Sequence, residues 1–207
     1  MPRQSSEVVV RRTIGLALLG TVIAGAALVG SLVLQTVPSS ADSVASTPAA
    51  PPLLGPDGSL PDGVTVFDDE YAGVARISPE LLEALRAAAT AAEADGIRFF
   101  INSGWRSPEY QNRLLDEAVA EYGSREEAAK WVATAETSPH VTGDAVDVGE
   151  TDATSWLSQH GAAFGLCQIY ANERWHYELR PEAVTHGCPR MYPDPTFDPR
   201  MRGQGFN

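Results

Sequence analysis

Basic residues are scarce in this sequence. Its 207 residues include 15 lysines and arginines against 27 aspartates and glutamates, which gives a formal net charge of −12. Because proteins that bind nucleic acid need clustered positive charge, this composition argues against DNA or RNA as a partner. The hydrophobic fraction of 43% is nevertheless sufficient for one domain with a buried core.

Two catalytic motifs are also missing. The chain contains no HExxH sequence, which excludes the zinc site that such a motif places on one helix. Ser138 is not part of a GxSxG sequence, so nothing marks this serine as the nucleophile of a hydrolase. We expect Ser138 to form a hydrogen bond with a substrate or with the loop of His140 instead.

An uncharged apolar run lies near the N terminus. Residues 14–34 follow Arg11 and Arg12, and as a helix they would span roughly 30 Å, the thickness of the hydrocarbon core of a bilayer. The arginines favour an N terminus inside the cell. A secretory signal has a shorter apolar region of about 7 to 15 residues, but the small residues 39–41 could serve a signal peptidase. We therefore predict that residues 1–37 are an uncleaved membrane anchor, with a cleaved signal peptide as the alternative, and that the rest is exported.

The composition of the remaining chain changes twice. Residues 38–63 are rich in proline, serine, alanine and glycine and contain little apolar material, which predicts a flexible linker. Residues 191–207 are polar and rich in proline and glycine, which predicts a mobile C-terminal tail. We assign the segment between them, 64–190, to a single domain.

The pattern within this domain mixes helices and strands. The sequences Ser78-Pro79 and Ser107-Pro108 each predict a helix start, with a serine cap followed by proline in the first helical position. Ser124 begins a capping box that predicts a third helix to about Ala135. The remaining predicted elements are a short helix near 154–160 and strands over 64–67, 97–101, 143–148, 166–170 and 175–180. This order indicates an α+β fold, in which helices pack on a small, mainly antiparallel sheet.

Two histidines and an aspartate form a candidate zinc site. His140 and Asp147 belong to the sequence SPHVTGDAVD, and His176 ends the sequence ERWH. Three protein ligands leave a fourth position for water, which is typical of catalytic zinc. If 143–148 form a strand, Asp147 lies on the face opposite to the neighbouring valines, which enter the core. Asp144 is a competing ligand, but it would lie on the other face of this strand.

Glu173 lies three residues before His176. We predict a turn over 171–173 that directs the carboxylate of Glu173 toward the metal, close enough to act as a base. In the strand that follows, alternation directs His176 toward the site and Trp175 and Tyr177 away from it. The alternative is that Glu173 is an acid on the solvated surface.

The two segments together resemble a known family. The patterns SxHxxGxAxD and ExWH, in this order, look like those of the VanY-like D,D-carboxypeptidases, which are zinc peptidases of bacterial cell walls. The sequence SGWRS at 103–107 is similar to the family's SGYRS segment, with tryptophan where tyrosine is commoner. The resemblance extends over residues 60–190. It implies the fold that this family shares with D-Ala-D-Ala dipeptidases and with the Hedgehog signalling domain.

The resemblance also implies roles for individual residues. His140, Asp147 and His176 match the zinc ligands of the family. Glu173 matches its catalytic base, and Arg106 matches the arginine that polarises the scissile carbonyl. A planar, permanently charged guanidinium is suited to hold a developing oxyanion. From the residues alone, Arg106 could instead have a simpler role and form an ion pair with a nearby carboxylate.

The sequence constrains other substrate contacts less. Trp105, beside Arg106, is our candidate for a wall of the substrate cleft. A carboxypeptidase must also bind a free terminal carboxylate, for which Arg113, Arg174, Ser138 and backbone amides are candidates.

Cys167 and Cys188 are the only cysteines. In an exported chain an even pair favours a disulfide. The bond would close a loop around Glu173 and His176 and contribute roughly 3 kcal/mol to stability in the chain-entropy model. Two buried free thiols are the alternative.

The resemblance implies a zinc-dependent D,D-carboxypeptidase that removes the terminal D-Ala from peptidoglycan stem peptides. An L,D-carboxypeptidase, a D-Ala-D-Ala dipeptidase or a cell-wall endopeptidase could use the same site. A non-catalytic zinc-containing binding module is the rival from another class, although the presence of both Glu173 and Arg106 favours an enzyme. We expect a monomer at the cell membrane with its catalytic domain outside, or a secreted protein if the N-terminal segment is cleaved.

Overall fold

A four-stranded antiparallel sheet forms the centre of residues 51–202, the part of the chain that the computed structural model describes. The strands are β1 (Phe100–Ser103), β2 (Ala145–Gly149), β3 (Leu166–Gln168) and β4 (His176–Leu179). They are arranged in the order β1-β2-β4-β3, and each neighbouring pair is antiparallel. Together with the helices around it, this sheet confirms the predicted α+β class.

The helices begin largely where the sequence predicts. Ser107 caps its helix, since its Oγ accepts a hydrogen bond from the N–H of Tyr110 at 3.1 Å, and Gly123 ends the same helix with a φ of 82°. The α-helices are α1 (Ala72–Ala75), α2 (Pro79–Glu93), α3 (Pro108–Tyr122), α4 (Arg125–Ala128), α5 (Pro139–Thr142), α6 (Thr151–His160) and α7 (Ala183–His186), and 3₁₀ turns occur at Gly161–Phe164, Pro195–Phe197 and Pro199–Arg202.

The main hydrophobic core lies on one face of the sheet. Val146, Val148 and Tyr177 extend into it from β2 and β4, and each is at most 1% exposed. The helices α2 and α6 cover these residues with apolar side chains, among them Leu81, Leu85, Ala88, Trp156 and Leu157. Because successive side chains of a strand point to opposite faces, Asp147 and His176 lie on the other face of the sheet.

Two predicted elements differ from the structure. The helix α4 ends at Ala128 rather than near Ala135, because the chain then turns to bring the carbonyl of Ala133 within 2.8 Å of the side-chain amide of Gln111. Residues 64–67, predicted to be a strand, form only an isolated bridge between Thr65 and Phe100.

Part of the predicted linker is folded. Leu54 forms a bridge with Tyr71, and Asp57 pairs with Arg113 at 2.7 Å. Gly58 adopts a φ of +97°, and a Cβ at this position would lie 2.2 Å from the carbonyl oxygen of Trp105, so only glycine allows this close approach. Residues 54–58 therefore belong to the domain, which corrects the predicted linker boundary at residue 63.

The predicted tail is also folded as far as residue 202. Tyr192 forms a bridge with Tyr170, and Arg200 makes salt bridges with Asp198 and Glu178. Backbone pairing and buried charge pairs hold this segment against the domain, which corrects the prediction of a mobile tail over 191–202.

A disulfide connects Cys167 in β3 with Cys188, which follows α7, and the two Cα atoms are 5.5 Å apart. This bond confirms the predicted pairing. It closes a loop that contains both Glu173 and His176.

The predicted membrane anchor, residues 1–37, lies outside the described residues. The linker from 38 to 50 and the last tail residues, 203–207, lie outside them as well. Among the helices of residues 51–202, none has the length and hydropathy needed to cross a bilayer.

Candidate metal and catalytic site

The pairing of β2 with β4 brings Asp147 and His176 together, because these two residues are direct partners in the antiparallel register. His140 comes from α5, a single helical turn just before β2. Gly143 ends this turn with a φ of 82°, and a Cβ there would lie 2.4 Å from the carbonyl oxygen of Arg76. Glycine thus allows the chain to pass directly from His140 into β2.

His140, Asp147 and His176 form a compact buried group, with 4%, 7% and 3% of their surfaces exposed. Asp147 Oδ1 lies 3.4 Å from His140 Nε2 and 3.3 Å from His176 Nδ1. The two nitrogens are themselves 3.3 Å apart. Three potential ligand atoms therefore converge on one small volume, as they do around a metal ion.

The outer nitrogen of each histidine ring is already hydrogen-bonded. His140 Nδ1 lies 2.8 Å from the carbonyl oxygen of Gly104, and His176 Nε2 lies 3.2 Å from Glu178 Oε1. Because both partners are acceptors, we assign the proton of each neutral ring to this outer nitrogen. The inner nitrogens then present lone pairs to each other, an arrangement that a cation between them would stabilise.

Asp147 Oδ1, the third converging atom, has no hydrogen-bond partner within residues 51–202. An unpartnered buried carboxylate oxygen is costly unless a cation binds it. Two histidine nitrogens and one carboxylate oxygen are a donor set that zinc accepts, and metal-binding histidines ordinarily donate their other N–H to a carbonyl or a carboxylate. The three residues therefore fit a metal ion.

Charge around the group also favours a cation. Burial alone would raise the pKa of Asp147, but the two histidines and Arg106 hold that pKa well below its usual value. Burial alone would lower the pKa of His176, but the neighbouring carboxylates of Asp147 and Glu178 raise that pKa to about 9. Negative charge thus surrounds His176, and a metal ion would compensate it as a proton does.

Glu173 lies beside this group with one oxygen free. Its Oε2 is 3.7 Å from His176 Nδ1, and its Oε1 is buried without a hydrogen-bond partner in the described part of the chain. The N–H of Glu173 donates to the carbonyl of Tyr170 at 3.3 Å, and the N–H of His176 donates to the carbonyl of Glu173 at 3.2 Å. The chain therefore turns at 170–173, as predicted, and again at 173–176. Burial, opposed by the charge of His176, raises the pKa of Glu173 to about 7. A carboxyl group with this pKa can accept and return protons near neutral pH.

Three side chains hold Arg106 in place. Its Nη2 donates to Asp147 Oδ2 at 2.6 Å, its Nε to Ser103 Oγ at 2.6 Å and its Nη1 to Gln111 Oε1 at 3.1 Å. The simpler role left open by the sequence, a pair with a nearby carboxylate, is therefore present. A guanidinium has five N–H donors, so each terminal nitrogen keeps one N–H beyond these contacts with described residues.

These residues open onto one cavity of about 290 Å³. Its lining includes Arg106, Glu173, the candidate metal group (His140, Asp147 and His176) and Ser138, which is only 3% exposed. The lining also includes Tyr122 and Trp131, whose rings stack with centroids 5.9 Å apart. The cavity thus joins the candidate catalytic residues to an aromatic surface.

The structure places two tryptophans differently from the predictions. Trp105, our candidate for a cleft wall, is not among the described residues that line the cavity. Its indole N–H donates to the carbonyl of Val141 at 3.0 Å, and the guanidinium of Arg76 lies 4.3 Å from the ring centroid. Trp175, predicted to point away from the site, lines the cavity and is 40% exposed, because it precedes β4 and so escapes the alternation of the strand.

The structure also distinguishes among the residues that the sequence suggests as a competing metal ligand or as partners of a substrate carboxylate. Asp144, the competing ligand, is exposed and accepts a hydrogen bond from Thr142 Oγ1 at 2.7 Å. Arg113 pairs with Asp57, and Arg174 lines a separate depression. Of the side chains considered for a substrate carboxylate, Ser138 is therefore the one that the structure places in the cavity.

Three residues that support the site are not identified from the sequence. Gln111 is 1% exposed and holds Arg106, but an interior helix position carries no local signal of this role. Glu178 lies two residues after His176, so strand alternation could have placed it on the same face. Arg200, which binds Glu178 from 22 residues away, shows no local pattern at all.

The α+β fold and this cavity, with its three potential metal ligands, its free carboxylate and its arginine, form an arrangement typical of metallopeptidases. Residues 74–182 match the family model VanY, D-alanyl-D-alanine carboxypeptidase. The chain belongs to this family, as the resemblance of its motifs indicates.

The chain is also similar to individual proteins. A D-alanyl-D-alanine carboxypeptidase of Enterococcus faecalis (strain ATCC 700802 / V583) is 35% identical over 127 residues, which cover 49% of this chain and 46% of the relative. The chain therefore spans about half the length of this relative. Among solved structures, VanYB in complex with D-Alanine-D-Alanine aligns with a TM-score of 0.50 and 31% identity, over 53% of this chain and 75% of that chain. A mutant of a vancomycin resistance D,D-pentapeptidase VanY in complex with Zn(II) aligns with a TM-score of 0.45 and 32% identity, over 50% of this chain and 70% of that chain.

Proposed function

We propose that this protein is a zinc-dependent D,D-carboxypeptidase that hydrolyses the terminal D-Ala from peptidoglycan stem peptides. The observation that carries the proposal is the single cavity that joins the metal group to Glu173 and Arg106. Peptide hydrolysis needs an activated water, a group that transfers protons and a charge that stabilises the oxyanion. Membership of the D-alanyl-D-alanine carboxypeptidase family supports the choice of bond.

In this proposal His140 Nε2, Asp147 Oδ1 and His176 Nδ1 hold the zinc ion. Bound zinc would supply a Lewis acid that activates water and polarises the scissile carbonyl. The carbonyl of Gly104 and the carboxylate of Glu178 fix the orientation of the two rings, as outer partners of metal-binding histidines do.

Glu173 is the proposed general base. Its free Oε1 accepts a proton from the attacking water, whose oxygen adds to the carbonyl carbon of the peptide bond. The same carboxyl group then gives that proton to the departing amine of D-Ala as the C–N bond breaks. Burial favours the protonated form of this carboxyl group, so the group that takes a proton from water is placed to hold it until the amine departs.

Arg106 is the proposed partner of the developing oxyanion. Because Asp147, Ser103 and Gln111 hold the guanidinium plane, its remaining N–H groups keep their direction before the reaction begins. Donors that are oriented in advance stabilise a transition state without the cost of reorganisation. Ser138 is our candidate for a hydrogen bond to the terminal carboxylate of the substrate. The structure of VanYB contains D-Alanine-D-Alanine, which supports a substrate whose C terminus has this chemistry.

We further propose that the domain acts outside the membrane as a monomer. The uncharged run at 14–34, which follows two arginines, supports export and an N-terminal anchor. Cleavage of this segment would give a secreted protein instead.

A substrate panel tests the proposed activity. The purified protein with zinc is offered a pentapeptide stem, a tetrapeptide stem and free D-Ala-D-Ala, and the products are identified by mass spectrometry. Release of D-Ala from the pentapeptide alone supports the proposal. Preferential cleavage of the tetrapeptide would identify an L,D-carboxypeptidase, and cleavage of the free dipeptide alone would identify a dipeptidase. Cleavage within a stem or cross-link would identify an endopeptidase, and binding without cleavage would identify a binding module.

A further inference from the structure

Arg200, in the segment that follows Cys188, contacts a hydrogen-bond partner of the proposed metal ligand His176. Arg200 donates from Nη1 to Glu178 Oε2 at 2.6 Å and from Nη2 to Glu178 Oε1 at 3.0 Å. Glu178 Oε1 is also the atom that accepts the hydrogen bond of His176 Nε2, at 3.2 Å. Glu178 is 1% exposed, so this forked contact supplies positive charge to a buried carboxylate. Arg200 lies beyond the residues that match the family, 74–182.

The same guanidinium also holds a second support of His176. Arg200 Nη2 donates to Asp198 Oδ2 at 2.5 Å, and Asp198 is 1% exposed. Asp198 Oδ2 accepts a hydrogen bond from the hydroxyl of Tyr170 at 3.0 Å. The ring of Tyr170 packs against the ring of His176, with centroids 5.0 Å apart. Arg200 thus binds Glu178 directly and is linked to Tyr170 through Asp198, and both Glu178 and Tyr170 contact the imidazole of His176.

We propose that Arg200 is a positioning residue for the metal site, acting through Glu178 and Tyr170 on the direction of the His176 Nδ1 lone pair. The inference rests on the proposed metal site and extends it to a residue outside the family match. A carboxylate held at both oxygens keeps one orientation, and its Oε1 keeps the proton of His176 on Nε2. Without Arg200, Glu178 retains Arg180, which contacts only Oε2, at 2.7 Å. The oxygen that orients His176 would then lose its charged partner.

Arg180 provides a matched control, because it carries the same charge and binds the same carboxylate. We compare Arg200→Gln with Arg180→Gln by measuring zinc affinity in competition with a chromophoric chelator at fixed pH. Loss of an outer partner of a metal ligand typically weakens binding about 10-fold to 100-fold, and we expect a loss of this size for Arg200→Gln. We expect a loss of less than about 3-fold for Arg180→Gln, because Oε1 keeps its partner.

A second readout separates positioning from general stability. The visible absorption spectrum of the cobalt(II)-substituted protein reports ligand geometry, and we expect it to change in Arg200→Gln but not in Arg180→Gln. Because 44% of the Arg200 side chain is accessible, its replacement leaves no large internal cavity. If the single variant does not fold, Asp198→Asn combined with Arg200→Gln removes the carboxylate left without a partner, and the same criteria apply to it.

The outcomes are distinct. Zinc affinity within about 3-fold of the wild type, with an unchanged cobalt spectrum, in a folded Arg200 variant would overturn the inference. Equal losses in the Arg180 and Arg200 variants would overturn it as well, because net charge alone would then explain the effect. A wild-type protein that binds no zinc would refute the proposed function itself. Normal zinc binding by both the wild type and the Arg200 variant would refute only the role of Arg200.

Discussion

Asp147 and His176 face each other across the register of two antiparallel strands, with Oδ1 and Nδ1 3.3 Å apart. Strand pairing rather than loop geometry therefore brings two of the three potential ligands together. A slip of one residue in either strand would turn one of these side chains into the hydrophobic core. Val146 and Tyr177, which are paired one position away, oppose such a slip because both belong to that core.

Removal of a histidine from the group tests the metal site. We expect His140→Ala and His176→Ala to lose stoichiometric zinc, because each leaves only two of the three protein ligands that a catalytic zinc site uses. His186→Ala is the control, since this histidine is exposed near the end of α7. Metal analysis of the dialysed proteins gives the answer, and full zinc content in both site variants would refute the assignment.

Replacement of Glu173 separates catalysis from metal binding. We expect Glu173→Gln to retain zinc and the fold while kcat falls about 10²-fold to 10⁴-fold, because the isosteric amide cannot take up a proton. Glu182→Gln, at an exposed position, should leave kcat unchanged. Turnover of D-Ala release and zinc content are measured on the same preparations. Near-normal turnover in Glu173→Gln would remove this residue from the mechanism.

The geometry of Arg106 predicts that lysine cannot replace it. An ammonium is a point charge and cannot contact Asp147, Ser103 and Gln111 while it also donates to an oxyanion. We expect Arg106→Lys to lower kcat/KM about 10²-fold to 10³-fold, the usual effect of losing an oxyanion donor. Arg113→Lys, which changes a pair at the surface, is the matched control. Equal kcat/KM values for the two variants would count against the proposed role.

The disulfide should contribute to the stability of the segment that carries Glu173 and His176. We expect the double variant Cys167→Ser with Cys188→Ser to lower the free energy of unfolding by about 3 kcal/mol, because an unfolded chain without this link gains conformational freedom. Denaturant titration of oxidised wild type and variant measures the difference. Alkylation of the unreduced, denatured wild type followed by intact mass provides the control. Two alkylated thiols would show that the link is absent.

Local patterns account for much of the fold and for the centre of the site. Serine and proline pairs mark the starts of the two long helices, and alternation in β2 separates Asp147 from the valines of the core. The proposed ligands and Glu173 are recognisable because each belongs to a short motif. Arg106 is recognisable as a member of SGWRS, although its contact with Asp147 is one possibility among several from sequence alone.

Residues whose position depends on distant contacts could not be predicted. Trp131 reaches the cavity because the chain turns early after α4, whereas Trp105 is turned away from it by Val141 and Arg76. The segment at 191–202 has the composition of a mobile tail, and only the hydrogen bonds in the folded chain show that Arg200 supports Glu178. No spacing rule relates two charges that are brought together by tertiary packing alone.

The contact between Glu178 in β4 and Arg200, 22 residues later, has a consequence for biosynthesis. The ion pair behind His176 can form only after the chain has been synthesised through Arg200, well after the last proposed ligand has emerged. Contacts that span many residues form late in folding, because loop closure must precede them. We therefore expect a nascent chain stalled at residue 190 to bind zinc weakly even though it carries every proposed ligand. In an exported protein, this order would postpone firm uptake of the metal until translocation is nearly finished.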